Sequence, residues 1–282
     1  MTSTSVSSAN FDVNPDAVAR DLDRVRSTSP VVHNITNYVV MEPTANALLA
    51  LGASPVMAHA PEEMEDIVRI ASALVLNIGT LSSPWIESMH RAGAAAGAKG
   101  IPVVLDPVGA GASSLRTRTA LALLEGVHPA IVRGNASEIL TLAGEKGGTR
   151  GVDSSSSAEE AEAPAGALAR ASRVVVSVSG ATDVITDGAR TLRIPTDTPL
   201  MGRVTGMGCT ASALTGALAA VNPDALEAAA HAMAIMGVAG RMAGTERSAG
   251  GREPGPGGFL PAFHDALYRM KGDDIERYLP GS

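Results

Sequence analysis

The stretch Gly202-Arg203-Val204-Thr205-Gly206-Met207-Gly208-Cys209 sets three glycines and a thiol within eight residues, and an almost uncharged run, 210–220, follows it. A run that is apolar all round predicts a buried helix. The glycines would then present free backbone N–H groups at the positive end of that helix, a place for phosphate or for negative charge that develops during a reaction. The spacing is not Walker A, because no Lys-Ser or Lys-Thr pair closes it, and it is not GxGxxG. A plain structural turn is the competing reading. Cys209 falls at the helix start, where the dipole lowers a thiol pKa and favours thiolate. General base, nucleophile and small buried residue all fit that position. A nucleophile would need a histidine beside it, and the sequence does not show which of His33, His59, His90, His128, His231 or His264 could supply one.

Other polar residues follow directly on apolar runs: Asn34, Thr36 and Asn37; Asn77, Gly79 and Thr80; Asp106, Gly109 and Gly111; Asn135 and Glu138; Ser179 and Gly180. In open parallel sheets ligands bind beyond the carboxyl ends of the strands. Each residue alone is explained as a cap or a turn; their recurrence at one predicted edge points to a site. Asn135 and Glu138, three apart at a helix start, could hold the water shell of Mg²⁺ or form a capping box. Metal-binding spacings such as CxxC, HxxxH or an EF-hand loop are absent from the sequence.

The elements that must position these residues follow from the patterning. Short apolar or β-branched runs at 31–36, 54–58, 74–78, 103–106, 130–133 and 174–179 alternate with helical patterns at 42–51, 62–72, 85–99, 115–125 and 136–143, after a first amphipathic helix at 15–26. Strands apolar throughout are covered on both faces, so the fold class is α/β with a mostly parallel central sheet, helices on both faces and right-handed crossovers. Asp187-Gly188 predicts a two-residue hairpin turn within 185–192, hence an antiparallel edge. The segments 145–164 and 248–258 read as surface excursions, and residues 1–10 as a disordered tail before a single domain, 11–282.

Composition narrows the function. The chain has 282 residues, 45% of them hydrophobic but only 2% aromatic, so small and aliphatic side chains must build its core. Net charge is −7 with scattered cations, which argues against nucleic acid as a partner. One cysteine excludes an intrachain disulfide. The start lacks signal-peptide features, and no apolar run is long enough to span a bilayer. A cytoplasmic, membrane-free location is expected.

Together the motifs resemble one family. His33-Asn34-Ile35-Thr36-Asn37-Tyr38-Val39-Val40-Met41, Thr44-Ala45-Asn46, Gly52-Ala53-Ser54-Pro55-Val56-Met57, Leu105-Asp106-Pro107-Val108-Gly109-Ala110-Gly111, Arg133-Gly134-Asn135-Ala136-Ser137-Glu138 and Val204-Thr205-Gly206-Met207-Gly208-Cys209 are similar to the hydroxyethylthiazole kinases of the ribokinase-like superfamily, over about residues 32–221. The cysteine that closes the last motif, where most of the superfamily looks like Gly-x-Gly-Asp, is the distinguishing feature. The resemblance implies transfer of the ATP γ-phosphoryl group to the primary hydroxyl of 5-(2-hydroxyethyl)-4-methylthiazole with Mg²⁺, in thiamine salvage. It implies Cys209 and Gly208 as catalytic, Met41, Gly206 and Asn34 on the substrate, Arg116 and Ser179 on ATP, Glu138 and Asn135 near the metal, and a homotrimer with sites between subunits. Another ribokinase-like kinase, a lyase on the same fold and a non-catalytic thiazole- or nucleotide-binding protein are the rivals. Met207 departs from the small residue common in the family at that position.

Overall fold

The structure is a computed structural model that describes residues 13–145, 149–150, 153–154, 157–196, 198–245 and 254–279. The expected tail, 1–10, lies outside them, as do parts of the two expected surface excursions.

Ten strands are described: β1 (Val31–Ile35), β2 (Ser54–Val56), β3 (Ala73–Asn77), β4 (Val103–Asp106), β5 (Ile131–Asn135), β6 (Thr149–Arg150), β7 (Asp153–Ser154), β8 (Val175–Ser179), β9 (Thr182–Thr186) and β10 (Thr191–Pro195). β6 and β7 pair only with each other; the other eight form one sheet in the order β10-β9-β8-β5-β4-β3-β1-β2. Every ladder from β8 to β2 is parallel, while β9 and β10 add an antiparallel edge. The expected α/β class with that edge is what the chain adopts.

Eleven α-helices are described: α1 (Pro15–Thr28), α2 (Met41–Leu51), α3 (Met64–Ile70), α4 (Ser83–Lys99), α5 (Ser114–Val127), α6 (Ala136–Leu142), α7 (Ala158–Ser172), α8 (Met207–Ala219), α9 (Ala225–Thr245), α10 (Pro256–Arg269) and α11 (Gly272–Tyr278). Successive strand residues point to opposite faces, and the core divides accordingly. Val32, Val75, Val104 and Ile131 join the cluster beneath α1, α2 and α8 to α11. Ile35, Leu74, Leu76, Leu105 and Val132 join the cluster beneath α3 to α7. Gly216 lets α8 lie against the sheet, since a Cβ there would stand 2.7 Å from Val75 Cγ2 and 3.2 Å from Val32 Cγ1. The abundance of small residues is thus used in backbone approach.

Two expectations change. The hairpin loop is four residues, Asp187 to Arg190, because the Asp187 carboxylate accepts the backbone N–H groups of Ala189 (2.8 Å) and Arg190 (2.6 Å) and so widens the turn. The second half of the expected excursion at 145–164 is helical: Ser157 and Glu160 form a capping box at the start of α7, and the helix runs through Pro164. Pro164 sits in the interior of a helix that the sequence alone gave little reason to extend across it.

β1 and β3 lie side by side in the sheet although β2 separates them in the chain, and the helices that follow them, α2 and α4, pack on opposite faces. The chain therefore parts above the carboxyl ends of these strands, the position at which open parallel sheets bind ligands.

Candidate active site

α8 begins in that opening. Gly206 is its N-cap with φ +87°, in the left-handed region that glycine enters without strain, and a Cβ there would also meet Val40 Cγ1 at 2.7 Å. The first bond into the helix runs from Thr210 N–H to the Gly206 carbonyl at 2.8 Å. The N–H groups of Met207, Gly208 and Cys209 have no hydrogen-bond acceptor among the described residues. No side chain caps the helix. Three amides at a positive helix end open onto a cavity of about 720 Å³, which Asp106, Arg116, Arg133, Glu138 and Ser179 also line.

The strand registers bring these side chains together. Asn77 pairs with Asp106 across β3 and β4, and Asn135 with Ser179 across β5 and β8. Asp106 Oδ2 accepts from Asn77 Nδ2 at 2.7 Å and from Ser212 Oγ on α8 at 2.8 Å. Asn77 Oδ1 in turn accepts from Asn37 Nδ2 and from Gly79 N–H, both at 3.0 Å. Asn37 Nδ2 also reaches Cys209 Sγ at 3.5 Å. Asp106 Oδ1 accepts no hydrogen bond from the described residues. Arg133 Nη1 donates to the Gly208 carbonyl at 2.9 Å, and its buried Nε has no partner.

Burial dominates the electrostatics. It pushes the Glu138 carboxyl up to about 7, with the charge of Asp106 adding to the effect and N–H donors from Gly109 and Asn135 opposing it. Burial likewise raises Asp106, against the pull of Arg133, Ser212 and Asn77. The Cys209 thiol is pushed up to about 12, by burial first and by Asp106 second. The expected thiolate is therefore overturned: desolvation beside a carboxylate outweighs the helix dipole, and Cys209 carries its proton at neutral pH.

Gly206, Gly208, Cys209, Arg116, Ser179, Asn135 and Glu138 all border the cavity. Arg116 is already engaged there, donating to the carbonyls of Val108 (2.5 Å), Gly79 (2.5 Å) and Ile78 (3.3 Å), so it braces the loops after β3 and β4. Ser179 Oγ donates to the Gly134 carbonyl at 3.3 Å. Glu138 and Asn135 do form the capping box, and Glu138 Oε1 further accepts Gly109 N–H at 2.7 Å. Asn34 and Met41 do not line the cavity. Asn34 lies inside β1, buried, its amide donating to the Val32 carbonyl at 2.9 Å; Met41 packs against the core beneath α3 to α7. Asn37, three residues further along and past the strand end, takes the place expected for Asn34. Asp106 and Arg133 are further functional candidates, which the resemblance does not mark. Asp106 stands among the strand-end residues and so was visible in the pattern; Arg133, inside an apolar run, is marked only by the cost of burying a guanidinium there.

Comparison with known proteins agrees with this geometry. The model of the hydroxyethylthiazole kinase family matches residues 22–273. A hydroxyethylthiazole kinase of Nitratidesulfovibrio vulgaris (strain DSM 19637 / Miyazaki F) is 59% identical over 256 residues, 91% of this chain and 94% of the relative. One of Leptospira biflexa serovar Patoc (strain Patoc 1 / Ames) is 53% identical over 259 residues, covering 92% of this chain and 95% of the relative. The solved structure of the hydroxyethylthiazole kinase protein from Pyrococcus horikoshii OT3 superposes with a TM-score of 0.84 at 45% identity, over 94% of this chain and 97% of that one. The pyridoxal kinase from Staphylococcus aureus in complex with ADP shares the fold, with a TM-score of 0.62 at 18% identity over 86% of this chain and 95% of that one.

Proposed function

The chain belongs to the hydroxyethylthiazole kinase family, with a ribokinase-like fold, and from that premise we propose that it uses ATP to phosphorylate the primary hydroxyl of 5-(2-hydroxyethyl)-4-methylthiazole for thiamine salvage in the cytoplasm. The observation that carries the chemistry is the set of three uncommitted amides of Met207, Gly208 and Cys209, sharing one cavity with Arg133 and two buried carboxylates.

Phosphoryl transfer asks for alignment and for fixed donors around the transferred group, and little covalent help. The α8 amides are such donors, already oriented before substrate arrives. Arg133, with Nε uncommitted, adds a cation beside them. Ser179 borders the nucleotide side, while Asn37 and Gly206 border the acceptor side near β1. Cys209, protonated, contributes a small polar surface rather than a base; in a loose transition state the hydroxyl proton leaves late and needs no strong acceptor.

Mg²⁺ suits the residues present. Asp106 and Glu138 are carboxylates raised by burial, Asp106 Oδ1 is unpaired, and Asn135 lies beside them. Among the described residues no three His, Cys, Asp or Glu side chains converge as a protein cage. That donor set fits an ion that keeps waters and rides on phosphates, where it would neutralise triphosphate charge. Asp106, Glu138 and Asn135 are the residues that would hold it.

We further propose the homotrimer that the resemblance implies. Tyr38 and Val39 are 63% and 65% exposed, and Val39 borders the cavity, so a neighbouring copy seated there would cover both and close the acceptor side. Sedimentation should give three times the chain mass. The functional test is ADP release from Mg-ATP with hydroxyethylthiazole or with hydroxymethylpyrimidine. Thiazole-dependent turnover is expected; calorimetric thiazole binding without turnover would identify a binding protein instead.

A further inference from the structure

Among the described residues, three arginines and no lysine border the cavity onto which the α8 amides open. Two of the three are fixed. Arg116 is committed to the carbonyls of Ile78, Val108 and Gly79, and Arg133, buried, holds the Gly208 carbonyl. The third, Arg203, is exposed, and its guanidinium makes no hydrogen bond or ion pair with the described residues. Exposed arginines elsewhere do find carboxylates: Arg69 pairs with Asp66, Arg91 with Glu65 and Arg190 with Asp187 and Asp224.

The backbone that carries Arg203 is held. It ends a 3₁₀ turn, Met201–Arg203, between β10 and α8. Met201 N–H donates to the Thr198 carbonyl at 2.9 Å, Arg203 N–H to the Leu200 carbonyl at 3.0 Å and Val204 N–H to the Met201 carbonyl at 3.2 Å. Met201 also anchors the turn on α9, because Gly240 leaves room there for the methionine's terminal methyl. Gly206, the N-cap of α8, follows three residues after Arg203, so at most about 11 Å of chain separates their Cα atoms. A fixed backbone with an uncommitted guanidinium thus stands beside the three free amides.

During transfer the acceptor oxygen bonds to the γ-phosphorus while the bond from that phosphorus to the β–γ bridging oxygen breaks. The electron pair of the broken bond stays on ADP, and the hydroxyl proton passes to water. Charge meanwhile spreads over the equatorial oxygens of the transferred group. The α8 amides meet those oxygens from the helix side with partial charges only. On the solvent side the cavity has one uncommitted cation, Arg203.

We propose that Arg203 closes on the transferred phosphoryl group and stabilises its charge in the transition state, as a further catalytic residue supplied by the turn before α8. A planar guanidinium can donate to two phosphoryl oxygens at once. The proposal rests on the kinase reading, and two measurements on the whole protein separate them. In Arg203→Ala, kcat for thiazole phosphorylation should fall about 100-fold, while the Kd of Mg-ATP, from displacement of trinitrophenyl-ATP, stays within about threefold of the parent. Free guanidinium at non-denaturing concentration should restore part of the lost rate. A kcat within about threefold of the parent, or an equal loss of affinity for ATP and ADP that accounts for the fall, overturns the proposal. The second measurement needs no acceptor. Aluminium fluoride, a planar mimic of the transferred group, should tighten Mg-ADP binding to the parent about tenfold more than to Arg203→Ala. Equal tightening in both proteins, or none in the parent, overturns the proposal. A parent that shows the tightening and does not phosphorylate the thiazole would sink the kinase reading and spare this one.

Discussion

Cys209 has the chemistry of a nucleophile and the surroundings of a spectator. With its thiol pushed up to about 12, the thiolate fraction near pH 8 falls on the order of 1000-fold below that of an ordinary cysteine. As the sole cysteine, it allows a direct measurement: iodoacetamide should label the native protein far more slowly than the urea-unfolded chain, and Cys209→Ala should retain measurable thiazole phosphorylation. Arg133 is the opposite case. Arg133→Met keeps much of the volume and removes the cation beside the α8 amides, so kcat should drop on the order of 100-fold or more while the melting temperature stays near that of the parent. Asp183, pushed up to about 6 by burial, predicts a pH signature. Its folded pKa lies above the unfolded value, so its contribution to stability is complete below about pH 4 and is lost as pH rises through about 6. Asp183→Asn abolishes that titration. Relative to the parent, the variant should gain on the order of 2–3 kcal/mol between pH 4 and pH 7.5 in urea unfolding.

At the scale of elements, α8 couples packing to function. Gly216 sits 2.7 Å, by its missing Cβ, from a stiff valine methyl on β3. Alanine there would gain about 1 kcal/mol of helix propensity; pushing the helix off the sheet costs about 1–3 kcal/mol, so Gly216→Ala should lower stability overall and slow turnover by moving the amides. Calorimetry and steady-state rates measure both. Elsewhere the chain ends helices with borrowed cations. Lys99 on α4 donates to the carbonyls of Val68, Arg69 and Ala71 at the end of α3, and Arg26 on α1 to those of Leu267, Tyr268 and Met270 at the end of α10. Such caps satisfy carbonyls that a helix end otherwise leaves to water.

For the whole molecule, the parallel core was readable because its strands are apolar on both sides and punctuated by polar residues at one end only. The anion-binding turn was readable because glycine spacing and an uncharged helix coincide at Gly206 to Cys209. What depended on a shift of three residues was not: Asn34 falls inside the strand and Asn37 beyond its end, a difference that no run of letters marks. Nor could local pattern show that Arg116 would spend its guanidinium on three carbonyls, or that Asp106 would stand close enough to Cys209 to keep the thiol protonated. Those outcomes come from register between strands and from burial, both properties of the assembled sheet.

The grip of Arg26 on α10 has a temporal meaning. The buried face of α1, Val18, Leu22 and Val25, packs into the cluster that α8 to α11 complete, and the carbonyls that Arg26 needs lie 241 to 244 residues further along the chain. At a synthesis rate of ~5–20 residues per second, that is a wait of roughly 10–50 s on the ribosome. Until α8, α9 and α11 are made, α1 lacks the helices it packs against most, and the growing chain offers chaperones the apolar stripe that they later shelter.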